Sequence, residues 1–245
     1  DGLMNVAELV NGGKTDINIT LDKNIDLTGK GWTPIGTDYD NSYTGTFDGG
    51  GHTITGLTVT TNDEYAGLFG YLGNFNNGAS TVKNVVMDGI QITCNHRLGY
   101  AGGVAGFSWG TIENCSVSGS ISGTVSVGGV VGAQRDRSIT GCSSSATVKG
   151  TLNVGGVAGQ TSFGATLTAC YATGNVIIEI DRTQNISGGG LVGFNDGISL
   201  LSCYATGNVT STGSGTGNMH IGGFLGDNYI TVTACYWKNN HEQGI

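Results

Sequence analysis

The chain has 245 residues, of which 46 are glycine and one is proline, and only 11% of them are charged. A hydrophobic content of 38% exceeds that of a disordered chain, so the composition predicts a folded protein unlike an ordinary globular domain. The formal net charge is −8 and the sequence holds no Lys/Arg cluster, which argues against binding to nucleic acid. No apolar run is long enough to span a membrane.

Residues 1–60 are predicted to form an N-terminal cap and irregular coils of a single β-helix domain that covers residues 1–245. Leu3, Val6, Leu9 and Val10 lie at helical spacing and predict a short amphipathic helix. Because an open sheet end invites pairing with other chains, we expect this helix to cover the first coil. No signal peptide opens the chain, so we expect a mature or trimmed segment with flanking domains of the same polypeptide beside it.

Residues 61–245 contain six copies of a Gly-apolar-apolar-Gly unit, the strongest pattern in the sequence. The copies are Ala66-Gly67-Leu68-Phe69-Gly70, Gly102-Gly103-Val104-Ala105-Gly106, Gly128-Gly129-Val130-Val131-Gly132, Gly155-Gly156-Val157-Ala158-Gly159, Gly189-Gly190-Leu191-Val192-Gly193 and Gly222-Gly223-Phe224-Leu225-Gly226. Successive copies are 36, 26, 27, 34 and 33 residues apart.

A cysteine follows five of the six copies at a nearly constant distance, and an apolar residue lies three positions before it. These cysteines are Cys115, Cys142, Cys170, Cys203 and Cys235. Recurring apolar and thiol positions, separated by Gly, Ser, Thr and Asn, predict one strand-rich coil per repeat, with coils stacked about 4.8 Å apart. The predicted fold is therefore all-β: a single-stranded right-handed parallel β-helix (β-solenoid) with a short N-terminal capping helix. The shortest repeats are too short for a propeller blade of about 40 residues.

The cysteines are expected to be reduced core thiols. In-register stacking holds Cβ atoms about 4.8 Å apart, whereas a disulfide needs about 3.8 Å. Disulfides and a metal site are the alternatives. Cys94 lies outside the series and is expected to be the exposed thiol.

The six copies, together with Cys-Tyr-Ala-Thr-Gly-Asn-Val at 170–176 and 203–209, resemble GLUG-motif repeats. Residues 32–36 and 47–54 resemble the N-terminal coils that often precede such repeats. The resemblance implies a β-helical display or adhesive region of a large bacterial surface protein, as in IgA-peptidase-like proteins, haemagglutinin-like adhesins and proteins of gut Bacteroidetes. It implies no catalytic residues, since the motif is a packing element. The first copy departs from the pattern, with Ala66 and Val85 in place of Gly and Cys.

The predicted function is a non-catalytic adhesion or display module, extracellular on a bacterial cell surface, whose partner is a host glycan or an extracellular protein. One alternative is a polysaccharide lyase or hydrolase of the β-helix type, and another is a purely structural stalk. Glycoside hydrolysis needs paired carboxylates. The acids near the motifs fall in different coils, so no catalytic residue is assigned; they are Glu113, Asp136, Asp196 and Asp227.

Asp38, Asp40, Asn41 and Asp48 supply oxygen atoms in one loop region, a composition compatible with a calcium ion. Asp and Asn also serve in turns through their own side-chain hydrogen bonds. No cofactor and no other metal is expected.

The unequal repeat lengths predict where a ligand binds. Two consecutive long repeats should project adjacent loops, residues 177–188 and 210–221, and loops are where solenoids place function. Three tyrosines each follow a cysteine, and strand alternation should turn them outward into a row. The candidate binding residues are the tyrosines Tyr171, Tyr204 and Tyr236 with the loop residues Glu179, Asp181, Arg182, Asn185, Asn218 and His220. The alternative is that the tyrosines cover the coil surface or pack under the loops.

Overall fold

The computed structural model describes residues 2–76, 80–180, 184–197, 199–229 and 231–238. In these ranges the chain forms one helix, α1 (Gly2–Asn11), and a long series of short strands. The first strands are β1 (Ile19–Thr20), β2 (Ile25–Asp26), β3 (Thr46–Asp48), β4 (Thr53–Thr55), β5 (Thr58–Thr61), β6 (Tyr65–Ala66), β7 (Phe69–Leu72), β8 (Thr81–Lys83), β9 (Val86–Cys94), β10 (Tyr100–Gly102), β11 (Ala105–Ser108), β12 (Thr111–Glu113), β13 (Ser116–Ser122), β14 (Ser126–Gly128), β15 (Val131–Arg135) and β16 (Ile139–Thr140). The remaining strands are β17 (Ser143–Ser144), β18 (Thr147–Gly150), β19 (Asn153–Gly155), β20 (Ala158–Ser162), β21 (Thr166–Thr168), β22 (Tyr171–Ala172), β23 (Val176–Ile180), β24 (Ile186–Gly189), β25 (Val192–Asp196), β26 (Ser199–Leu201), β27 (Tyr204–Ala205), β28 (Val209–Gly213), β29 (Met219–Gly222), β30 (Leu225–Asn228), β31 (Val232–Thr233) and β32 (Tyr236–Trp237).

The strands stack into four parallel sheets. Sheet 1 has the order β1-β3-β8-β12-β16-β21-β26-β31, and sheet 2 has the order β2-β4-β9-β13-β17-β22-β27-β32 with β5, β18, β23 and β28 paired beside it. Sheet 3 is β6-β10-β14-β19-β24-β29, and sheet 4 is β7-β11-β15-β20-β25-β30. From β6 onward each coil passes through sheets 3, 4, 1 and 2 in that order, which confirms the predicted parallel β-helix. The described residues include no helix long and apolar enough to cross a membrane.

The repeated apolar positions form rows inside the coils. One row on sheet 1 contains Val82, Ile112, Ile139, Leu167 and Leu200, which are register partners and at most 1% exposed. Each such side chain contributes roughly 1.5–3 kcal/mol when it is fully buried. Since a single coil has no partner for its inner face, this stabilisation arises only from stacking.

The motif glycines let sheets 3 and 4 approach each other backbone to backbone. A methyl group built on Gly159 would lie 2.4 Å from the amide nitrogen of Val127 and 2.8 Å from the carbonyl oxygen of Asn153. At Gly193 the corresponding distance to the amide nitrogen of Val154 is 2.5 Å. Neither glycine has a positive φ angle, so the motif requires glycine for space and not for an unusual backbone conformation.

The cysteines of the repeat form a row of free, buried thiols from Cys115 to Cys203, followed by the half-buried Cys235. The backbone N–H of each coil's cysteine donates to the sulfur of the next, for example from Cys170 to Cys203 at 3.4 Å. A hydrogen bond with the Cys142 thiol, together with burial, raises the pKa of Cys170 to about 12. The expectation that Cys94 is exposed is wrong. It is 2% exposed, and its thiol donates to the carbonyl oxygen of Asp63 at 3.3 Å.

Helix α1 forms where it was predicted, but with a different buried face. Leu3, Ala7 and Val10 are buried, whereas Leu9 is 46% exposed. The side chain of Asn11 fixes the helix end, because it donates to the carbonyl oxygen of Pro34 and accepts from the backbone N–H of Gly36. Leu3, Ala7 and Val10 lie at i, i+4 and i+7 and so share one face of the helix, whereas Leu9 lies off that face.

The glycine contacts predict a position-specific response to added methyl groups. Gly159→Ala should lower the free energy of unfolding by about 2 kcal/mol or more, because the new Cβ overlaps the backbone of Val127. Gly31→Ala is the matched control. Its Cβ meets no atom within 4 Å, so we expect a change of at most about 1 kcal/mol in either direction. Urea denaturation measures both values, and equal effects would contradict the close approach.

Thiol accessibility should follow the row of cysteines. A thiol-reactive dye applied to the native protein should label Cys235 first and leave Cys94, Cys115, Cys142, Cys170 and Cys203 protected until denaturation, because thiolates are the reactive form and burial suppresses them. Cys235→Ser should remove the native signal. Rapid native labelling of Cys142, measured by peptide mass spectrometry, would contradict this packing.

Candidate functional site

The three predicted tyrosines occupy one register position on sheet 2. Tyr171 pairs with Tyr204, and Tyr204 pairs with Tyr236. The rings of Tyr171 and Tyr204 are stacked with centroids 4.8 Å apart and an interplanar angle of 2°. Their side chains are 37% and 38% exposed. Because stacked rings turn their faces toward each other, the contact between Tyr171 and Tyr204 hides the two facing ring surfaces and leaves the ring edges and hydroxyl groups to solvent.

A groove begins where the tyrosine row ends. Counting back along the same register position from Tyr171, the residues are Ser143, Ser116, Val86 and Thr53. These side chains are too short to cover the Tyr171 ring, so the face of that ring opposite Tyr204 is open. The resulting groove has a volume of about 380 Å³.

Polar side chains line one edge of this groove. Asp88, Ser118, Ser145 and Thr173 all contribute to its lining. The Ser118 hydroxyl donates to the Asp88 carboxylate at 2.6 Å and accepts from the backbone N–H of Gly89 at 2.9 Å. Asp88, Ser145 and Thr173 are exposed. The groove therefore combines one open aromatic face with hydrogen-bond donors and acceptors on a rigid sheet.

The groove residues were missed in the sequence, although a signal was present. The residue after each repeat cysteine is Ser116, Ser143, Tyr171, Tyr204 and then Tyr236. This change from serine to tyrosine marks the position of the groove wall. Because equivalent positions stack in register, the change from serine to tyrosine indicates that the Tyr171 ring lies next to a small side chain.

Those of the predicted polar residues that the structure describes have partners other than the tyrosines. Glu179 forms an ion pair with Lys149 at 2.9 Å. Asn185 accepts from the backbone N–H of Asn218 at 3.3 Å. His220 lies on β29 in sheet 3, away from the tyrosine row on sheet 2. Asp181 and Arg182 lie outside the described residues.

His220, Asp227 and Ser187 form a small cluster across sheets 3 and 4. The Asp227 carboxylate pairs with Nδ1 of His220 and accepts from the Ser187 hydroxyl at 2.9 Å. The carboxylate thus lies between the other two groups. In a serine–histidine pair, the nucleophilic hydroxyl donates a hydrogen bond directly to the imidazole. The Ser187 hydroxyl donates to the Asp227 carboxylate instead, so this cluster does not have the arrangement of a serine nucleophile activated by histidine.

The acidic residues considered for calcium are divided between two turns. Asp38 accepts from the backbone N–H groups of Asp40 and Asn41, so its carboxylate closes a turn. Asp48 receives a hydrogen bond from Asn84, which lowers the pKa of Asp48, and pairs with Lys83 at 3.4 Å. Within the described ranges, no group of three or more His, Cys, Asp or Glu side chains is placed to hold a metal ion.

Two segments, residues 98–122 and 184–210, match the family model described as the GLUG motif. The chain carries GLUG motifs. Each match begins shortly before a Gly-apolar-apolar-Gly unit and continues into sheet 2. One GLUG motif therefore covers successive strands of sheets 3, 4, 1 and 2, which is about one coil.

Two relatives and one solved structure are similar to this chain. Halomucin of Haloquadratum walsbyi is 42% identical over 105 residues, which is 42% of this chain and 1% of halomucin. A candidate Gly-rich membrane protein of Evansella cellulosilytica is 38% identical over 101 residues, 41% of this chain and 11% of the relative. The crystal structure of a candidate immunoglobulin A1 protease from Bacteroides ovatus superimposes with a TM-score of 0.79 at 22% identity, covering 96% of this chain and 72% of that one. At this identity the likeness shows the shared fold alone.

Proposed function

We propose that the chain is a non-catalytic module of a bacterial surface protein that binds carbohydrate in the groove beside Tyr171 and so serves adhesion or display. The observation that carries the proposal is the open face of the Tyr171 ring above a floor of small side chains. The names of the relatives, a mucin and a membrane protein, support a surface or extracellular location.

The chemistry of the groove suits a sugar ring. A pyranose has an apolar face of C–H groups, which packs on an aromatic ring, and an equatorial rim of hydroxyl groups. With one sugar face on Tyr171, the hydroxyls would reach Asp88, Ser145 and Thr173. Ligand sites commonly combine apolar contact with a few fixed polar groups in this way. The sheet holds these residues in place before binding, which reduces the entropy lost on association.

The groove favours binding over turnover. Of the described residues that line it, Asp88 is the one carboxylate. A glycosidase requires two carboxyl groups on opposite sides of the scissile bond, about 5–9.5 Å apart. We therefore propose a binding site in preference to the polysaccharide lyase or hydrolase of the same fold class.

Extending the tyrosine row by one coil tests the groove directly. In Ser143→Tyr, the new ring should stack on Tyr171 and fill the groove, so binding on a neutral glycan array should weaken by about tenfold or more. The melting temperature should stay level or rise, since an aromatic pair contributes about 0.5–1.5 kcal/mol. Tyr171→Ala should also weaken binding, because the open ring face is lost.

Tyr236→Ala is the matched control, because it removes a tyrosine from the same row away from the groove. Its glycan binding should equal that of the unaltered protein. Undiminished binding by Ser143→Tyr would place the ligand elsewhere. No binding to any glycan would favour a structural stalk, and release of shortened sugar chains would favour an enzyme.

A further inference from the structure

A second surface, which we call the aromatic patch, lies along sheet 4 and its outer turns. It consists of Phe75, Phe107, Trp109 and Phe163 around Arg135. The Trp109 ring is central, with ring centroids 5.6 Å from Phe75, 6.4 Å from Phe107 and 6.0 Å from Phe163. Phe75 is 75% exposed and Phe163 is 63% exposed. Large apolar side chains grouped at this exposure mark interaction sites more often than scattered ones do.

Arg135 lies between two rings of the patch. Its guanidinium carbon is 5.2 Å from the centroid of Phe107 and 5.1 Å from that of Phe163. Among the described residues, no carboxylate pairs with it, and its Nε is buried without a hydrogen-bond partner. The adjacent cation differs, since Arg137 pairs with Asp136 at 3.5 Å. The patch thus contains a positive charge held between two rings, with no ion pair and with an unbonded Nε among the described residues.

The backbone at Phe163 is strained to place its ring in the patch. Its φ angle is +62°, in the left-handed region that bulky residues rarely adopt. In the preceding coil the corresponding turn position is occupied by Asp136, with φ +66°, and Asp tolerates this conformation better. The fold therefore accepts a small polar residue at this turn. The ring of Phe163 is exposed to solvent and contacts Arg135 and Trp109.

We propose that the aromatic patch is a second binding site, specific for a sugar residue that carries a carboxylate. The rings of Trp109 and Phe163 would receive the apolar face of the sugar, and the guanidinium of Arg135 would bind the carboxylate through paired hydrogen bonds. Charge complementarity at Arg135 decides for an anionic sugar over a neutral one. The inference is independent of the groove, which lies on sheet 2 and contains none of these residues.

The test uses purified galacturonate and glucuronate oligosaccharides, with neutral galactose and glucose oligosaccharides of equal length as comparison. Binding of the uronate chains should change the tryptophan fluorescence, and Trp109→Phe should remove that change, because Trp32 and Trp237 lie outside the patch. Arg135→Gln should weaken uronate binding by about tenfold or more, since it removes a charge-assisted hydrogen bond. Arg97→Gln, which removes the same charge from an exposed position outside the patch, should leave the affinity unchanged.

Phe163→Asn separates binding from stability. Asn tolerates the left-handed conformation, so the melting temperature should stay level or rise, while uronate affinity falls. Equal affinity of Arg135→Gln and the unaltered protein, or equal binding of neutral and uronate chains, would overturn the proposal. Absence of uronate binding would also overturn it.

Preference for sulfated sugars over uronates would overturn the carboxylate assignment. Ser143→Tyr should leave uronate binding intact, so failure at the groove and failure at the patch are distinguishable.

Discussion

The structure depends on the backbone-to-backbone contact between sheets 3 and 4. In the later repeats the final motif glycine lies against main-chain atoms of the strand that opens the motif, as Gly159 does with Asn153. Any side chain there would push the two sheets apart. That contact fixes the outline of the coil, and stacking of equal outlines brings the apolar rows into register. The hydrophobic core is therefore a consequence of the glycine spacing as much as of the apolar residues themselves.

Register also shapes the outer surface. Because each position in a coil lies directly over its equivalent in the next, a change of residue type along a row changes the relief of the surface. The replacement of Ser143 by Tyr171 one coil later turns a flat row into a groove with an aromatic wall. The same stacking hides the ring faces between Tyr171 and Tyr204. The row thus presents the Tyr171 ring to the groove at the point where the tyrosines meet the serines.

The interior and the exterior differ in how polar groups are satisfied. Inside, polar groups of successive coils bond to each other, as from the Cys170 N–H to the Cys203 sulfur and from the Thr161 hydroxyl to the Asn195 side chain. On the aromatic patch, the Nε of Arg135 has no such partner among the described residues and Phe163 holds a strained backbone. A coil that is stabilised by stacking on its two neighbours tolerates local backbone strain and an unbonded donor near its surface, because each lowers the free energy of unfolding by only a small part of the total.

The sequence alone determined the coil, its repeat, the buried cysteine row and the helix near residues 2–11, because each depends on spacing along the chain and stacking preserves spacing. Tertiary structure decided what lies between different rows. It buried Cys94, paired Glu179 with Lys149 and His220 with Asp227, and placed the Tyr171 ring in the wall of the groove. It also assembled the aromatic patch from side chains of four consecutive coils. These contacts depend on the path of the turns around the coil, which a repeat period does not specify.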